Sequence, residues 1–519
     1  MPVARILFVL PLPEPFDYAV PDGMDVSVGS YVTAPLGQTE RLGVVWDLLG
    51  DEAAAGRELK PVLSVYDVPP MRQAMREFIG WAAKYTVSHP GHVLGMTLRA
   101  RGGLLPSPTE TVFHLTGEEP KKLTDTRRRV LDAAEETGPA NAATLAAAAG
   151  VSSGVVKGLV SAGALRAEEM AADAPFAVPQ PDLPGADLTG EQAEAADALK
   201  AAMRAGGFAA FLLDGVTGSG KTEVYFEAIA EALRTDPDAQ VMVLLPEIAL
   251  TQAILSRFEE RFGAAPAPWH SGLSDKERRR TWRETAHGRA RIVIGARSAL
   301  FLPYANLKLI IVDEEHDGSY KQEDGVTYHA RDMAVMRAKL EGAGVVLASA
   351  TPALETVVNA EAGRYTRLML AARPGASRLP DVELVDLRRA PPEKNHWLSP
   401  WLIQALKETL AAGEQTLLFL NRRGYAPLVL CKACGERLKT PGTENWLTEH
   451  RYSGRLVCHV TGYSIPKPSV CPSCGAKDSL IGVGPGVERV AEEVRVLMPE
   501  ARIEIFSSDT AMGGEATRG

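Results

Sequence analysis

Hydrophobic and polar positions follow different patterns in successive parts of the chain. The first part has short apolar runs at residues 6–10, 31–34 and 42–46, separated by turns that contain Pro and Gly. Such runs are typical of β-strands, and a helical pattern follows at residues 71–85. We therefore predict a β-rich domain over residues 1–105.

The second part has a helical pattern. Its three helical stretches cover residues 126–137, 142–149 and 152–160, and this spacing is typical of a helix-turn-helix or winged-helix domain. Such a domain either contacts DNA or serves as a spacer or a surface for protein contacts, and the sequence leaves both interpretations open. Together with the Pro-rich linker that follows, this domain is assigned to residues 106–178.

From residue 188 onwards, buried strands alternate with helical patterns. The predicted strands lie at residues 212–213, 241–245, 292–294, 309–312 and 345–347. This alternation indicates a parallel, doubly wound α/β sheet, which we assign to residues 179–375. A second pattern of this kind starts at 382–384 and 416–420, within residues 376–519, and a cysteine-bearing insert at about 430–482 interrupts it.

Composition limits the class of protein. A chain of 519 residues predicts three to five domains at roughly 100–200 residues each. Hydrophobic residues make up 45% of the chain, and no run of 18 apolar residues is present, so we expect a cytoplasmic protein with no membrane partner. The net charge of -9 argues against a surface covered in phosphate-binding groups. Residues 276–291 nevertheless hold seven Lys or Arg, which indicates either phosphate contacts or a solvated helix face.

A glycine-rich segment lies between the strand at 212–213 and a helical pattern. It has the form G-x-x-x-x-G-K-T, and its residues are Gly215, Val216, Thr217, Gly218, Ser219, Gly220, Lys221 and Thr222. The backbone N–H groups of such a loop converge on phosphates, the lysine meets the β- and γ-phosphates, and the threonine hydroxyl binds Mg²⁺. The segment therefore predicts a site for ATP and Mg²⁺, with a turn that binds no ligand as the alternative.

An acidic segment, Asp313-Glu314-Glu315-His316, follows the aliphatic strand at 309–312. Asp313 is predicted to hold Mg²⁺ through water, and Glu314 to act as the general base that polarises the attacking water. His316 is predicted to link the nucleotide to the neighbouring domain. An acidic run by itself is usually a solvated turn, so this interpretation depends on the glycine-rich loop.

These segments, with Ser349-Ala350-Thr351, resemble the ordered motifs of a superfamily 2 helicase motor, and Gln192 resembles its adenine-reading glutamine. Further segments resemble the PriA family of primosomal proteins, and they lie at residues 15–18, 244–251, 269–271, 295–301, 313–322, 328–332 and 419–426. The resemblance implies a multidomain α/β protein with RecA-like P-loop helicase lobes and an N-terminal β-rich 3′ DNA-binding domain. It also implies a winged helix and a zinc-binding insert in the second lobe.

The same resemblance implies a function. The protein would be an ATP-dependent 3′ to 5′ DNA helicase that recognises stalled or D-loop-type replication forks and initiates replication restart by primosome assembly. Its partners would be forked and single-stranded DNA, other primosome proteins and single-stranded-DNA-binding protein. A non-hydrolysing scaffold that binds DNA structures is the alternative, and a P-loop NTPase that acts on something other than DNA is a weaker one.

The family's later motor motifs and C-terminal domain have no counterpart before residue 519. We expect that the chain is either a fragment of a longer protein or a natural truncation.

Six residues are expected to contact DNA on the strength of the resemblance: Phe16, Asp17, Lys60, Arg297, Tyr320 and Lys321. Asp17 would meet the 3′ end of a strand, or would be only a turn residue after a proline. Arg297 lies at a strand end of the motor lobe. Tyr320 lies in an aromatic-rich loop after Asp313, where aromatic rings would stack on unpaired bases.

All five cysteines lie between residues 431 and 474. Two C-x-x-C knuckles offer four thiolates to one structural Zn²⁺, and their residues are Cys431, Cys434, Cys471 and Cys474. Four buried free cysteines are the alternative. The resemblance implies a second zinc site, of which Cys458 alone is left. We expect Cys458 to be a buried free thiol, with a site completed by His450 and His459 as the lesser alternative.

Overall fold

The computed structural model of the protein describes residues 2–50, 58–120, 122–171, 173, 175–246, 252–372, 381–393, 396–420, 428–443, 445–450, 454–458 and 460–505. Contacts divide the chain into two compact units, residues 1–377 and 378–519.

The first unit begins with an antiparallel sheet of five strands. The strands are β1 (Val3–Phe8), β2 (Phe16–Ala19), β3 (Tyr31–Leu36), β4 (Thr39–Leu49) and β5 (Ser64–Val65). Their order is β2-β1-β4-β3-β5, and one face packs on a small core that includes Ile6, Val32 and Val45. The helices α1 (Gln73–Tyr85) and α2 (Pro90–Thr97) follow the sheet. The β-rich character and the helix predicted at 71–85 are therefore confirmed.

Three short helices and a small sheet come next. The elements are β6 (Thr109–Leu115), α3 (Asp125–Thr137), β7 (Ala140–Asn141), α4 (Ala142–Ala149), α5 (Ser153–Ser161) and β8 (Leu165–Ala171). The strand order is β7-β6-β8, and the helices bury Val130, Leu145 and Leu159 against one another. Helices on a three-stranded antiparallel sheet form a winged helix. The three predicted helices are confirmed within one residue at each end.

A seven-stranded parallel sheet forms the largest part of the unit. Its strands are β9 (Ala209–Gly215), β10 (Gln240–Leu244), β11 (Ala267–Trp269), β12 (Ile292–Gly295), β13 (Leu307–Asp313), β16 (Gly344–Ser349) and β17 (Thr366–Leu370). The short strands β14 (Lys321–Gln322) and β15 (Tyr328–His329) form a separate hairpin. The parallel order is β11-β12-β10-β13-β16-β9-β17. The predicted doubly wound sheet is therefore confirmed, and the carboxyl ends of β9 and β13 lie at the same edge.

Helices cover both faces of this sheet. They are α6 (Gly190–Ala205), α7 (Lys221–Thr235), α8 (Gln252–Phe262), α9 (Asp275–Ala286), α10 (Ala330–Glu341) and α11 (Leu354–Glu361). Along β10, Val241 and Val243 face the core that contains α6, α7 and α8, while Met242 and Leu244 face the core on the other side. Both faces of the strands are therefore apolar, as expected for a covered parallel sheet.

The N-terminal helices α1 and α2 pack in the core that also contains Met242 and Leu244 of the parallel sheet. The Trp282 indole N–H donates to the Thr97 carbonyl at 2.7 Å, although 185 residues separate them. The Arg337 guanidinium is fully buried, lies 2.9 Å from the Glu341 carboxylate and donates to the Leu300 carbonyl. Arg72 completes this network with a 2.7 Å bond to Glu341. The N-terminal part and the parallel sheet therefore pack as one body.

The second unit contains two small sheets and two helices. Its elements are α12 (Pro400–Ala411), β18 (Leu428–Cys431), β19 (Thr448–His450), β20 (Arg455–Val457), β21 (Ser464–Pro466), β22 (Leu480–Val483) and α13 (Val487–Leu497). β18 pairs with β22, and the other three strands form the sheet β19-β20-β21. The helices α12 and α13 meet through a core that includes Leu406 and Val494.

Two strand predictions in the second unit are wrong. The described residues at 382–384 and 416–420 pair with no other strand, and Leu384 and Phe419 are 95% and 85% exposed. A strand needs a hydrogen-bonded neighbour, and an apolar run does not reveal whether a neighbour is in place. The expected parallel sheet of a second lobe is not formed among the residues described.

No single helix in the described part of the chain is long and apolar enough to cross a membrane. Taken together, α4 and α5 have the length and composition of a span, with a bend of 111° between them.

Candidate nucleotide, DNA and zinc sites

The loop between β9 and α7 has the geometry of a phosphate-binding loop. Gly218 and Gly220 take φ angles of +80° and +79°, which only glycine adopts at low cost. A Cβ atom at Gly220 would lie 2.4 Å from the Gln192 amide nitrogen, so a side chain is excluded there. Lys221 begins α7, and its Nζ donates to the Gly215 carbonyl at 2.9 Å. The loop therefore holds its own lysine across the space that phosphates would enter.

Gln192 lies against this loop from the first turn of α6. Its Oε1 accepts from the Thr189 N–H at 2.8 Å, and its Nε2 donates to the Ser219 carbonyl at 2.7 Å. The side chain is 4% exposed. An amide has two donor hydrogens and two acceptor lone pairs, so one of each remains for a base edge. Gln192 therefore links the start of α6 to the glycine-rich loop.

Asp313 ends β13 at the sheet edge where the loop lies. Its Oδ1 accepts from the Glu314 N–H at 3.0 Å, and its Oδ2 accepts from the Tyr225 hydroxyl at 3.0 Å. Burial, and then the neighbouring Glu314 carboxylate, raise the pKa of Asp313 above its usual value. A cation close to Asp313 would stabilise its charged form.

Glu314 has a φ of +48°, which is uncommon for a residue other than glycine. This left-handed turn directs the chain out of β13 and into the segment that continues to His316. His316 Nδ1 lies 2.7 Å from the Ser349 hydroxyl, which accepts from the Thr351 N–H at 2.9 Å. The acidic segment is therefore joined to the end of β16, in the Ser-Ala-Thr segment.

Two residues of this site were not identified from the sequence. Glu315 is fully buried, and it accepts from the Ala353 N–H at 2.7 Å and from the Thr356 hydroxyl at 3.0 Å. Tyr225 is also fully buried and contacts the Asp313 carboxylate. Tyr225 is four residues after Lys221 on α7, so it lies on the same helix face, and this spacing was the available signal.

Substitution of Tyr225 by phenylalanine tests whether its hydroxyl orients Asp313. Burial raises the pKa of Tyr225, so the hydroxyl stays protonated and donates. Tyr225→Phe is expected to raise the Mg²⁺ concentration for half-maximal ATP hydrolysis several-fold, with a smaller change in the maximal rate, since the Asp313 carboxylate loses its fixed orientation. Tyr304→Phe, which removes a buried hydroxyl far from this edge, is the control. An unchanged Mg²⁺ dependence in Tyr225→Phe contradicts this role.

The residues expected at a 3′ end of DNA lie on the N-terminal sheet. Asp17 accepts from the Arg5 guanidinium at 3.0 Å, and its side chain is 15% exposed. Phe16, the preceding residue of β2, is 41% exposed. The Lys60 ammonium is exposed and donates to the Gly37 carbonyl at 3.3 Å, and the Lys60 carbonyl accepts from Ala19 at the end of β2. Phe16 and Lys60 are therefore exposed near β2, whereas the Asp17 carboxylate is mostly buried in its ion pair with Arg5.

The loop after Asp313 differs from the expectation of a base-stacking surface. Tyr320 is 1% exposed, and its hydroxyl lies 2.6 Å from the Asp313 carbonyl and 3.0 Å from that of Leu244. In this structure its ring supports the strand ends and cannot stack on a base. Lys321 is exposed and pairs with Glu323 at 3.5 Å. Arg297 donates to the Ser319 and Lys321 carbonyls at 2.8 and 2.7 Å, so its guanidinium also holds this loop in place.

Most of the basic stretch at 276–291 is bound to protein. Arg279 pairs with Asp173 at 3.0 Å, and Arg289 pairs with Glu284 at 2.6 Å. Arg283 donates to the Leu105 carbonyl. Arg279 and Arg283 therefore hold α9 against neighbouring segments, and Arg289 holds the end of α9 through Glu284.

The four knuckle cysteines meet in the second unit. Pairing of β18 with β22 brings the two knuckles together, and the four sulfur atoms all lie within 4.8 Å of one another. The separation is 3.7 Å between the Cys431 and Cys474 sulfurs and 3.9 Å between those of Cys434 and Cys471. Zinc bound at about 2.3 Å by four thiolates requires sulfur separations near 3.8 Å. The donor set therefore fits a tetrahedral zinc ion.

Cys458 lies outside this cluster and is buried. His450 lies 3.6 Å from the Glu488 carboxylate. His459, residues 247–251, residues 421–426 and the segment 508–510 lie outside the described residues, so the expectations that fell on them stay predictions.

Comparison with known proteins identifies two families within the first unit. Residues 190–360 match the DEAD/DEAH box helicase family, and residues 5–99 match the 3'DNA-binding domain (3'BD) family. The first match covers the glycine-rich loop and the acidic segment. The second covers Phe16, Asp17 and Lys60.

Three relatives from different bacteria carry the name replication restart protein PriA. The protein of Rickettsia conorii is 35% identical over 519 residues, which is 99% of this chain and 68% of the relative. That of Haemophilus influenzae is 34% identical over 526 residues, 98% of this chain and 70% of the relative. That of Bacillus subtilis is 43% identical over 324 residues, 62% of this chain and 40% of the relative.

Two solved structures are similar to part of the chain. RecG bound to a three-way DNA junction is 22% identical with a TM-score of 0.30, over 38% of this chain and 25% of that chain. The DUF1998 helicase MrfA is 20% identical with a TM-score of 0.32, over 46% of this chain and 36% of that chain. These TM-scores are too low for a comparison of sites.

Proposed function

This chain belongs to the family of the replication restart protein PriA, and from that premise we propose that it is an ATP-dependent 3′ to 5′ DNA helicase. It recognises stalled or D-loop-type replication forks and initiates replication restart by primosome assembly. The observation that carries the proposal is that a phosphate-binding loop and Asp313 lie at one sheet edge, in the same compact unit as a 3′ DNA-binding domain.

The nucleotide site is assigned to the loop residues 215–222, with Gln192 as the adenine contact. Lys221 releases the Gly215 carbonyl and turns its ammonium to the β- and γ-phosphates. The Thr222 hydroxyl and Asp313 would hold Mg²⁺, and the bound ion would supply neutralisation of the charge that develops on the transferred phosphoryl group.

The chemistry of hydrolysis is assigned to Glu314. Its carboxylate takes the proton of the attacking water as general base. His316 lies 2.7 Å from Ser349 and is assigned as the sensor that links this step to the end of β16 and the chain beyond it.

We assign four domains to the chain. Residues 1–105 bind the 3′ end of DNA, residues 106–178 hold the winged helix and linker, and residues 179–375 form the ATP-binding lobe. Residues 376–519 belong to a second lobe with the zinc insert. We assign DNA contacts to Phe16, Asp17, Lys60, Arg297 and Lys321. Tyr320 is retained only as a support for the loop that carries Lys321.

The four-thiolate cluster is assigned one structural Zn²⁺. Four thiolates fill the tetrahedral coordination of zinc and leave no position for a substrate.

The protein partners that follow from the proposed role are primosome proteins and single-stranded-DNA-binding protein. Because the proposed role is carried out on the bacterial chromosome, the proposed location is the cytoplasm.

ATP hydrolysis on forked DNA is the direct test of this function. Forks are expected to stimulate hydrolysis by at least about tenfold over the rate without DNA. The reason is that the loop after Asp313 connects the assigned DNA contacts Arg297 and Lys321 to the sheet edge where the nucleotide would bind. Binding of forks without any stimulated hydrolysis would favour the scaffold alternative, and failure to bind forks at low salt would favour an NTPase of another kind.

Asp17→Ala tests the 3′-end contact. The Asp17 carboxylate accepts a hydrogen bond from a 3′-hydroxyl and repels a 3′-phosphate, so the wild-type protein is expected to prefer a hydroxyl-ended fork by about tenfold, or about 1.4 kcal/mol. The variant is expected to bind both forks equally in fluorescence anisotropy. Asp47→Ala, which removes an exposed carboxylate on β4, on the other side of β1 from Asp17, is the matched control and keeps the preference. A preference that survives in Asp17→Ala refutes the assignment.

A further inference from the structure

Glu315 is a fully buried carboxylate that directly follows the residue assigned as general base. Its Oε1 accepts from the Ala353 N–H at 2.7 Å. Its Oε2 accepts from the Thr356 hydroxyl at 3.0 Å and from the Arg331 guanidinium at 3.4 Å. Burial of a carboxylate is costly unless charged and hydrogen-bonding partners surround it. Both oxygens of Glu315 have such partners, and its side chain is therefore held in one position.

The charged partner, Arg331, lies in the Tyr-His-Ala-Arg-Asp segment at 328–332, where α10 begins. Arg331 is 7% exposed. It also pairs with Asp332 at 3.0 Å, but the Asp332 side chain is 41% exposed, whereas that of Glu315 is buried. The segment at 328–332, to which the sequence assigned no role, thus supplies the positive charge that Glu315 requires in the interior.

The two neutral partners lie at the start of α11. This helix follows the Ser-Ala-Thr segment at 349–351, and Ala353 and Thr356 belong to its first turn. The Glu315 N–H also donates to the Ala348 carbonyl of β16 at 3.1 Å. Glu315 therefore joins the acidic segment to β16 and to the starts of α10 and α11.

The Glu314 carboxylate lies in a different environment. Its side chain is 43% exposed and lies 3.6 Å from the His316 imidazole. The direction of this carboxylate depends on the backbone, which takes a left-handed φ of +48° at Glu314. Such a conformation persists only where the surrounding structure holds it. The fixed side chain and N–H of Glu315 hold the chain immediately after this turn.

We propose that Glu315 is a positioning residue that fixes the Glu314 carboxylate toward the attacking water, with Arg331 as its buried counter-ion. Glu315 acts only through the backbone of Glu314, so it determines the geometry of proton removal and not the affinity for ATP. This inference rests on the proposed role of Glu314 as general base. Positioning of this kind affects hydrolysis equally with and without DNA.

Glu315→Gln tests the inference, because it keeps the size of the side chain and removes its charge. At saturating ATP the rate of hydrolysis is expected to fall about tenfold, by the same factor with and without forked DNA, while the KM for ATP stays within about twofold. Asp332→Asn is the matched control, since it removes the more exposed carboxylate that shares Arg331 with Glu315. This control is expected to keep the rate within about twofold of wild type.

A second measurement separates positioning from a structural role. Glu314→Gln alone is expected to lower the single-turnover rate by about 100-fold or more, as loss of a general base does. In that background Glu315→Gln is expected to change the rate by less than about twofold, because no base remains to be positioned. A residue needed only for folding would lower the rate by the same factor in both backgrounds, and that result overturns the inference.

The two proposals fail in different ways. A Glu314→Gln protein with the wild-type rate would reject the general base, and the inference with it. A slow Glu314→Gln protein beside a folded Glu315→Gln protein of normal rate would reject the inference alone. If Glu315→Gln does not fold, Thr356→Val removes one donor to the same carboxylate and is expected to lower the rate several-fold with an unchanged KM. A normal rate in Thr356→Val would then overturn the inference.

Discussion

Lys221→Ala is expected to lower DNA-stimulated ATP hydrolysis by about 100- to 1,000-fold, which corresponds to about 3–4 kcal/mol of lost transition-state stabilisation. Lys221 is the first residue of α7, and its ammonium lies within the glycine-rich loop. Negative charge accumulates there on the phosphoryl group during its transfer. Steady-state hydrolysis on forked DNA at saturating ATP measures the effect. Binding of forks is expected to persist, because the N-terminal sheet is remote from this residue in sequence and belongs to another part of the unit.

The matched control for this variant is Lys339→Ala. Lys339 is an exposed lysine on α10 that touches neither the loop nor the acidic segment, so its loss is expected to leave the rate within about twofold of wild type. A Lys221→Ala protein that keeps half of its activity would be incompatible with the nucleotide site as assigned.

Replacement of the second knuckle, as Cys471→Ser/Cys474→Ser, is expected to abolish zinc binding and to unfold the sheet of β18 and β22. Structural zinc contributes on the order of 10 kcal/mol to the domains that depend on it, which exceeds the stability of a small two-stranded sheet. Metal analysis is expected to fall from one equivalent of zinc to none, and limited proteolysis is expected to cut within residues 428–483.

Cys458→Ser is the matched control for the zinc experiment, because it removes a cysteine of the same insert that lies outside the four-sulfur cluster. This variant is expected to keep its zinc. Equal zinc content in the two variants and the wild type would show that the four sulfurs are not the ligands.

The residues at the sheet edge of the glycine-rich loop and Asp313 were predictable, because they are grouped in two short segments of the sequence. The glycine-rich loop follows a strand directly, and its spacing determines where Lys221 lies. Asp313 likewise follows an aliphatic run that reads as a buried strand. What brings these two segments to one edge is the parallel sheet, and alternation of strands with helices was enough to predict that sheet.

Contacts between distant residues were not predictable in the same way. Tyr225 meets Asp313 across 88 residues, and Glu315 meets Thr356 across 41. The four-residue spacing from Lys221 indicates which face of α7 Tyr225 lies on, but it does not identify Asp313 as its partner. Tyr320 is the opposite case, because the sequence suggested a base-stacking role that the structure does not support. An aromatic residue in a polar loop fits an exposed stacking ring, but its burial depends on the strand ends that surround it.

Runs of charged residues and runs of apolar residues were also misleading, because their role depends on contacts with distant segments. The arginines at 276–291 are matched by Asp173 and by backbone carbonyls from other segments, which composition does not reveal. The apolar run at 416–420 has strand character, yet strand formation depends on a neighbour that residue type does not specify. Local spacing was therefore the more reliable guide to the site, and pairing between segments decided the rest.

The left-handed turn at Glu314 sets activity against stability at a single position. A glutamate in this conformation costs about 1 kcal/mol or more that a glycine would not. Selection for stability alone would favour glycine or asparagine there, and either would remove the carboxylate next to Asp313. A collection of stabilised variants of this protein would therefore be expected to include inactive ones at residue 314, and thermal stability would be a misleading measure of fitness at this position.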